Sequence, residues 1–146
     1  MIRLPSAEGV IEVYAALAPL GAPRPIIRNG DVGLLESCIQ RAETTVYGVE
    51  AYPSIHDKVA AIVDSISRTH PLIDGNKRLA YVVTVMVYSA NGHVSTATAS
   101  QADLYVEIAR GIHSVAEIAA RLRATWTDDG TGGAPSRVGS ADPPPR

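Results

Sequence analysis

The feature that most constrains how this chain folds is a short break between two apolar helical runs at its centre. In residues 54–69 the apolar side chains recur at the three- and four-residue spacing of one helix face, at Ile55, Val59, Ile62, Val63 and Ile66. Pro71 ends this run, because the residue before a proline is driven out of the α region. A second helical run follows over residues 77–90. The sequence therefore predicts two helices joined by a loop that begins at His70.

The loop between these helices has the composition of an anion-binding site. Its nine residues, 70–78, read His-Pro-Leu-Ile-Asp-Gly-Asn-Lys-Arg. Gly75 permits a tight or left-handed turn, and Asn76 is a good N-cap for the next helix. The start of that helix offers free backbone N–H groups and the positive end of the helix dipole, which favour a bound anion. Lys77 and Arg78 place two cations at this positive end, which is unfavourable unless an anion or a carboxylate neutralises them. The loop is therefore predicted to handle phosphate.

Each polar residue of the loop also has a purely structural alternative. His70 could act as a general base near neutral pH, or cap the end of its helix. Asp74 could hold Mg²⁺ together with phosphate oxygens, or bond its own turn. Asn76 could contact a phosphate or only cap, and Arg78 could grip phosphate or lie in solvent. The residues taken singly leave these alternatives open.

The rest of the chain reads as further helices, with one exception. Helix starts are predicted at four more polar residues: Ser6, Asp31, Ser100 and Ser114. The helix from Asp31 is predicted to reach about Ala42, and the apolar face of the last helix continues to Trp126. Residues 44–53 differ, because β-branched and aromatic residues surround Gly48, which is the composition of a small hairpin. The predicted fold class is all-α, with about six helices and one small β-hairpin.

Composition limits the kinds of protein this chain can be. One domain is predicted over residues 1–126, and the Gly-, Ser- and Pro-rich residues 127–146 are expected to be disordered. The net charge of −2 gives no basic excess for direct binding to nucleic acid. No apolar run is long enough to cross a membrane, and no signal peptide is evident, so we expect a cytoplasmic protein. Cys38 is the only cysteine, which excludes a disulfide framework and suggests a buried helix face.

The loop is similar to the signature of the Fic/Doc superfamily, His-x-Phe-x-Asp/Glu-Gly/Ala-Asn-Gly/Lys-Arg. Eight of the nine positions fit, and the lysine, here Lys77, resembles the Doc branch, whereas Fic proteins usually have glycine there. Residues 31–37, 47–53 and 89–93 also resemble Doc segments, so the resemblance covers roughly residues 3–126. Leu72 departs from the pattern, because the family usually has a phenylalanine that anchors the loop in the core. The resemblance implies a compact Fic/Doc-type helical bundle.

The resemblance also implies a chemistry and assigns residues to it. His70 would be the base, Asp74 the Mg²⁺ ligand, and Gly75, Asn76, Lys77 and Arg78 the contacts to the phosphates of ATP. The hairpin residues Tyr47, Gly48, Val49 and Glu50 would form a flap that aligns the target by strand addition. Doc proteins are toxins of type II toxin–antitoxin systems that transfer the γ-phosphate to a threonine of elongation factor Tu and so arrest translation.

Regulation is expected to come from another chain. Many Fic proteins carry an inhibitory Ser/Thr-x-x-x-Glu segment, and no glutamate here has a serine or threonine four residues before it. The resemblance implies a small Phd-type antitoxin as partner. Two alternatives remain: a Fic-type adenylyltransferase, against which Lys77 argues, and a catalytically weak co-repressor that only binds the antitoxin because Leu72 leaves the loop loose.

Overall fold

The computed structural model describes residues 1–97 and 101–130 of the chain. Over these residues it contains six α-helices: α1 Ala7–Leu17, α2 Gly33–Gln40, α3 Ile55–Thr69, α4 Asn76–Ala90, α5 Ala102–Ala109 and α6 Val115–Thr125. Two antiparallel strand pairs accompany them: β1 Thr45–Val46 with β2 Val49–Glu50, and β3 His93–Ser95 with β4 Trp126–Asp128. The predicted all-α class, the count of six helices and the hairpin after α2 are confirmed. No helix in the described residues is both long and apolar enough to cross a membrane.

Helix α3 is the centre of the molecule. It packs against α2, α4, α5 and α6, so that every side chain from Lys58 to Ile66 is buried. Val59, Ile62 and Val63 have no exposed surface, and burying each such side chain contributes about 1.5–3 kcal/mol. Cys38 of α2 is buried against this helix as predicted, with its Sγ 3.3 Å from Thr69 Oγ1.

Local hydrogen bonds explain where three of the helices begin. Ser6 Oγ accepts from the backbone N–H of Gly9 at 3.0 Å. Ser54 forms a capping box with Asp57, in which each side chain accepts from the other residue's backbone N–H. Ser114 forms the same box with Glu117. These arrangements satisfy donors that a helix start otherwise leaves unpaired, and they confirm the predicted starts at Ser6 and Ser114.

The predicted boundaries of α2 are wrong. Helix α2 starts at Gly33, and Asp31 instead accepts from the Gly33 N–H at 2.7 Å in the preceding turn. The same helix ends at Gln40, and Ala42 lies in a following 3₁₀ turn, Arg41–Glu43. Ser100 lies outside the described residues, and α5 begins at Ala102.

The second strand pair was not predicted. Trp126 leaves the helix and enters β4, where it pairs with Ser95 and its ring stacks on buried Tyr88 with centroids 4.5 Å apart. Thr127 and Asp128 belong to the same strand, so the folded part extends beyond the predicted boundary at residue 126. Most of the predicted tail, residues 131–146, lies outside the described residues.

Candidate active site

The loop predicted to handle phosphate lies between the end of α3 and the start of α4. His70 has a left-handed backbone with φ of 50°, and its N–H closes the last turn of α3 by donating to Ile66 O at 3.0 Å. Gly75, with φ of 88°, is the residue that precedes α4. Pro71 therefore ends the first helix as predicted, and the loop turns back on itself within five residues.

Asn76 holds the loop from inside and is not the predicted N-cap. It is the first residue of α4, and its side chain turns back onto the backbone of Leu72. Asn76 Oδ1 accepts from Leu72 N–H at 3.0 Å, and Asn76 Nδ2 donates to Leu72 O at 2.8 Å. Leu72 itself has no exposed surface and belongs to the core. The smaller side chain therefore still anchors the loop as the resemblance implies.

A second clamp comes from the segment before α2. Arg28 N–H donates to Pro71 O at 2.8 Å, and Ile73 N–H donates to Ile26 O at 2.9 Å, which forms an isolated antiparallel bridge. Arg28 Nε also donates to His70 O at 2.8 Å. In the sequence this segment reads only as a Pro- and Gly-rich connection, and no local pattern marks its pairing partner.

The imidazole of His70 is exposed and is oriented by Asn76. Asn76 Nδ2 lies 3.3 Å from His70 Nδ1, and the two contacts with the Leu72 backbone determine which end of the amide carries nitrogen. Because an amide nitrogen only donates, Nδ1 of the neutral ring accepts and the ring proton lies on Nε2.

Gly75 is required at its position by both space and backbone conformation. A Cβ built on it would overlap the hydroxyl of Tyr14 from α1, and a φ of 88° disfavours any residue with a side chain. Tyr14 is buried, and its hydroxyl donates a long bond of 3.4 Å to Gly75 O. Helix α1 therefore shapes the start of α4 from a distance in sequence that no local pattern reveals.

All six residues predicted for catalysis, metal and phosphate binding line one cleft of about 1050 Å³: His70, Asp74, Gly75, Asn76, Lys77 and Arg78. Two further cations, Arg24 and Arg110, line the same cleft and were not singled out from the sequence. Arg24 lies between two prolines, and Arg110 is the C-cap residue that follows α5. In residues 1–97 and 101–130, the side chains of Arg24, Lys77, Arg78 and Arg110 form no hydrogen bond or salt bridge with a protein group. The cleft is thus suited to an anion.

The donor set of the cleft fits Mg²⁺ that arrives with a phosphate ligand. Asp74 is exposed in the cleft, and its Oδ1 accepts from the Gly75 N–H at 2.8 Å. Within the described part of the chain, no group of three or more His, Cys, Asp or Glu side chains is placed to hold a metal ion. Mg²⁺ usually keeps several waters and takes one or two carboxylates plus substrate phosphates, so one carboxylate is a sufficient protein contribution.

The predicted hairpin is present, but it does not line the cleft. Its turn residues Tyr47 and Gly48 have φ of 51° and 78°, as a tight two-residue turn requires. The side chains of Val46, Tyr47 and Val49 are exposed. Glu50 accepts from buried Lys58 of α3 at 3.0 Å, which ties the hairpin to the central helix. The role of Tyr47, Gly48, Val49 and Glu50 in holding a target stays a prediction.

Comparison with known proteins agrees with this geometry. The model of the Fic/Doc family matches residues 5–88, a range that contains the whole loop and the hairpin. The chain belongs to the Fic/Doc family. A 62-residue stretch is 47% identical to the protein named Toxin Doc of Mycolicibacterium smegmatis (strain ATCC 700084 / mc(2)155). This stretch covers 42% of this chain and 48% of that protein. The similarity to Doc inferred from Lys77 is thereby confirmed, over about half the length of that relative.

Proposed function

We propose that this chain is the toxin of a toxin–antitoxin system and acts as a protein kinase. It would transfer the γ-phosphate of ATP to a hydroxyl of a translation factor, elongation factor Tu by family resemblance, and so arrest translation. The observation that carries the proposal is that Lys77 and Arg78, at the start of α4, line one cleft together with His70 and Asp74. The similarity to the protein named Toxin Doc supports the same function.

Phosphate binding would rest on the start of α4. The backbone N–H groups of its first turn and the side chains of Lys77 and Arg78 would supply positive charge to the phosphates of ATP. Asp74 would hold Mg²⁺ against those phosphates, and the bound ion would neutralise part of their charge. Such transfer depends on positioning and charge stabilisation more than on covalent chemistry with the protein.

His70 would take the proton of the target hydroxyl. The target hydroxyl would replace Asn76 Nδ2 at His70 Nδ1, because that contact is long at 3.3 Å. As the hydroxyl oxygen attacks the γ-phosphorus and the bond to the β-phosphate oxygen breaks, the proton would pass to Nδ1. ADP leaves, and His70 returns its proton to solvent. The exposed strands of the hairpin would hold the target segment by backbone pairing.

Inhibition would come from a Phd-type antitoxin in the cytoplasm. The co-repressor alternative requires a loose catalytic loop. Leu72 has no exposed surface, and the loop is bonded both to Asn76 and to the segment around Arg28. These contacts favour a working enzyme over a protein that only binds its antitoxin.

Labelled ATP tests the proposal directly. Purified protein is incubated with elongation factor Tu, Mg²⁺ and ATP labelled at either the γ- or the α-phosphate. Transfer of the γ label supports the kinase, whereas transfer of the α label would instead identify an adenylyltransferase. Transfer of neither label by folded protein would contradict both enzymatic functions.

Two variants test the roles of the loop residues. His70→Ala should lower transfer by about 10²–10⁴-fold and abolish growth arrest, while the melting temperature changes little because the ring is exposed. Lys77→Gly recreates the Fic form of the loop and should lose γ transfer, and Lys77→Ala separates loss of charge from gain of glycine flexibility. Undiminished γ transfer by Lys77→Gly would remove the argument for the Doc-type reaction.

A further inference from the structure

The cleft carries more positive charge than the loop at residues 70–78 alone supplies. Among the described residues, four cationic side chains line it, Arg24, Lys77, Arg78 and Arg110, against the single carboxylate of Asp74. The whole chain has a net charge of −2, so this concentration of positive charge is local. Two of the four, Arg24 and Arg110, come from elements outside the loop, and neither forms an ion pair among the described residues.

Arg24 is held at the cleft by its backbone. Pro23 and Pro25 flank it, and the proline that follows restricts Arg24 itself to an extended conformation. Two residues later, Ile26 O accepts from Ile73 N–H at 2.9 Å, so the segment that carries Arg24 is bonded to the loop at residues 70–78. Ordering this arginine on a ligand therefore costs less conformational entropy than ordering one on a free loop.

Arg110 lies at the cleft from the C-terminal end of α5, far from Arg24 in the sequence. It follows the last residue of α5, and its N–H donates to Val106 O and Glu107 O at 3.1 Å, so its backbone is also ordered. The negative end of the helix dipole stabilises a cation at this place. This gives a structural reason for an arginine but not for its exposure to the cleft. Glu107, the nearest acidic residue along α5, is bonded to His113 and Arg121 instead.

We propose that Arg24 and Arg110 hold the part of a polyphosphate chain that the start of α4 does not reach. Their guanidinium groups each offer a fork of donors that matches phosphate oxygens. Four mutually repelling cations are stabilised by a ligand with several negative charges and only weakly by one with two. The cleft should therefore select nucleoside triphosphates over monophosphates. This inference rests on the proposed function only in taking a nucleotide as the ligand.

The test compares affinities for ATP and AMP in the full chain. Dissociation constants for both nucleotides, each with Mg²⁺, are measured by calorimetry for the unaltered protein and for Arg24→Gln, Arg110→Gln and Arg123→Gln. Arg123 is an exposed arginine of α6 that does not line the cleft, so its variant controls for loss of one positive charge. Arg24→Lys and Arg110→Lys test whether charge alone suffices.

Each glutamine variant in the cleft should weaken ATP binding by about tenfold or more, the effect expected for lost bonds to a charged group, and should change AMP binding by much less. The Lys variants should lie between, and Arg123→Gln should match the unaltered protein. Equal losses for ATP and AMP, or unchanged ATP binding in both glutamine variants, would overturn the inference. Because the readout is binding, unaltered protein that binds ATP but transfers no phosphate would refute the kinase and leave this inference standing.

Discussion

Replacing Gly75 by alanine should damage this chain although the Fic/Doc signature permits alanine at that position. The reason is Tyr14, whose hydroxyl occupies the space that the new Cβ would need. We expect the substitution to lower the free energy of unfolding, and a second substitution, Tyr14→Phe, to restore much of the loss by removing the hydroxyl.

The magnitude follows from two separate effects. A φ of 88° costs alanine about 1–2 kcal/mol relative to glycine. Overlap with a buried side chain adds about 1–3 kcal/mol, as overpacking typically does, so Gly75→Ala should cost about 2–5 kcal/mol in total. Tyr14→Phe alone should cost less than about 1 kcal/mol, because its bond to Gly75 O is long at 3.4 Å. In the double variant the Cβ faces only the ring carbon, Tyr14 Cζ, at 3.4 Å, so the conformational cost of about 1–2 kcal/mol should remain.

Urea unfolding of the four proteins in this double-mutant cycle measures the coupling. Gly111→Ala supplies a matched control, because Gly111 also has a positive φ, 70°, and a Cβ there meets no atom of the described residues within 4 Å. It should reproduce the conformational cost alone. If the double variant is as unstable as the sum of the two single variants, or if Gly75→Ala costs no more than Gly111→Ala, then Tyr14 does not constrain the loop.

Three further predictions concern the loop, the hairpin and helix α3. Leu72→Phe should lower the free energy of unfolding by about 1–3 kcal/mol without raising activity, because Leu72 is already fully buried; a higher melting temperature together with faster transfer would show an underfilled core. Lys58→Met keeps the side-chain volume but removes the ammonium bonded to Ala42 O and Glu50. It should lower the free energy of unfolding by about 1–3 kcal/mol and speed hydrogen exchange in residues 45–50. Unchanged exchange would show that Lys58 does not order the hairpin. Burial, with nearby Arg123 and His93, lowers the pKa of His56 below its usual 6.5. The unfolded chain therefore takes up a proton that the folded ring resists, and the free energy of unfolding falls as pH decreases through 6.5. His56→Gln should flatten this pH dependence in urea unfolding at pH 5.5–7.5, and equal slopes in both proteins would contradict the prediction.

Features that depend on neighbours a few residues away can be predicted from the sequence. The apolar spacing of residues 54–69 predicts α3, and the boxes Ser54–Asp57 and Ser114–Glu117 close within one helical turn. The break at Pro71 and the two-residue turn at Tyr47 and Gly48 are equally local. The six predicted site residues of the loop share one cleft because a nine-residue segment between two helices keeps them close together.

Features that join distant parts of the chain depend on the tertiary structure. Asn76 could cap α4 or turn back, and it turns back because the backbone of buried Leu72 offers it both a donor and an acceptor. Trp126 could continue α6, but it enters a strand because β3 and the ring of Tyr88 lie beside it. Tyr14 meets Gly75 across 61 residues, and Arg24 and Arg110 reach the cleft from elements far apart in sequence. Such contacts depend on how whole helices pack, because local spacing sets the direction of a side chain but not the group that it meets.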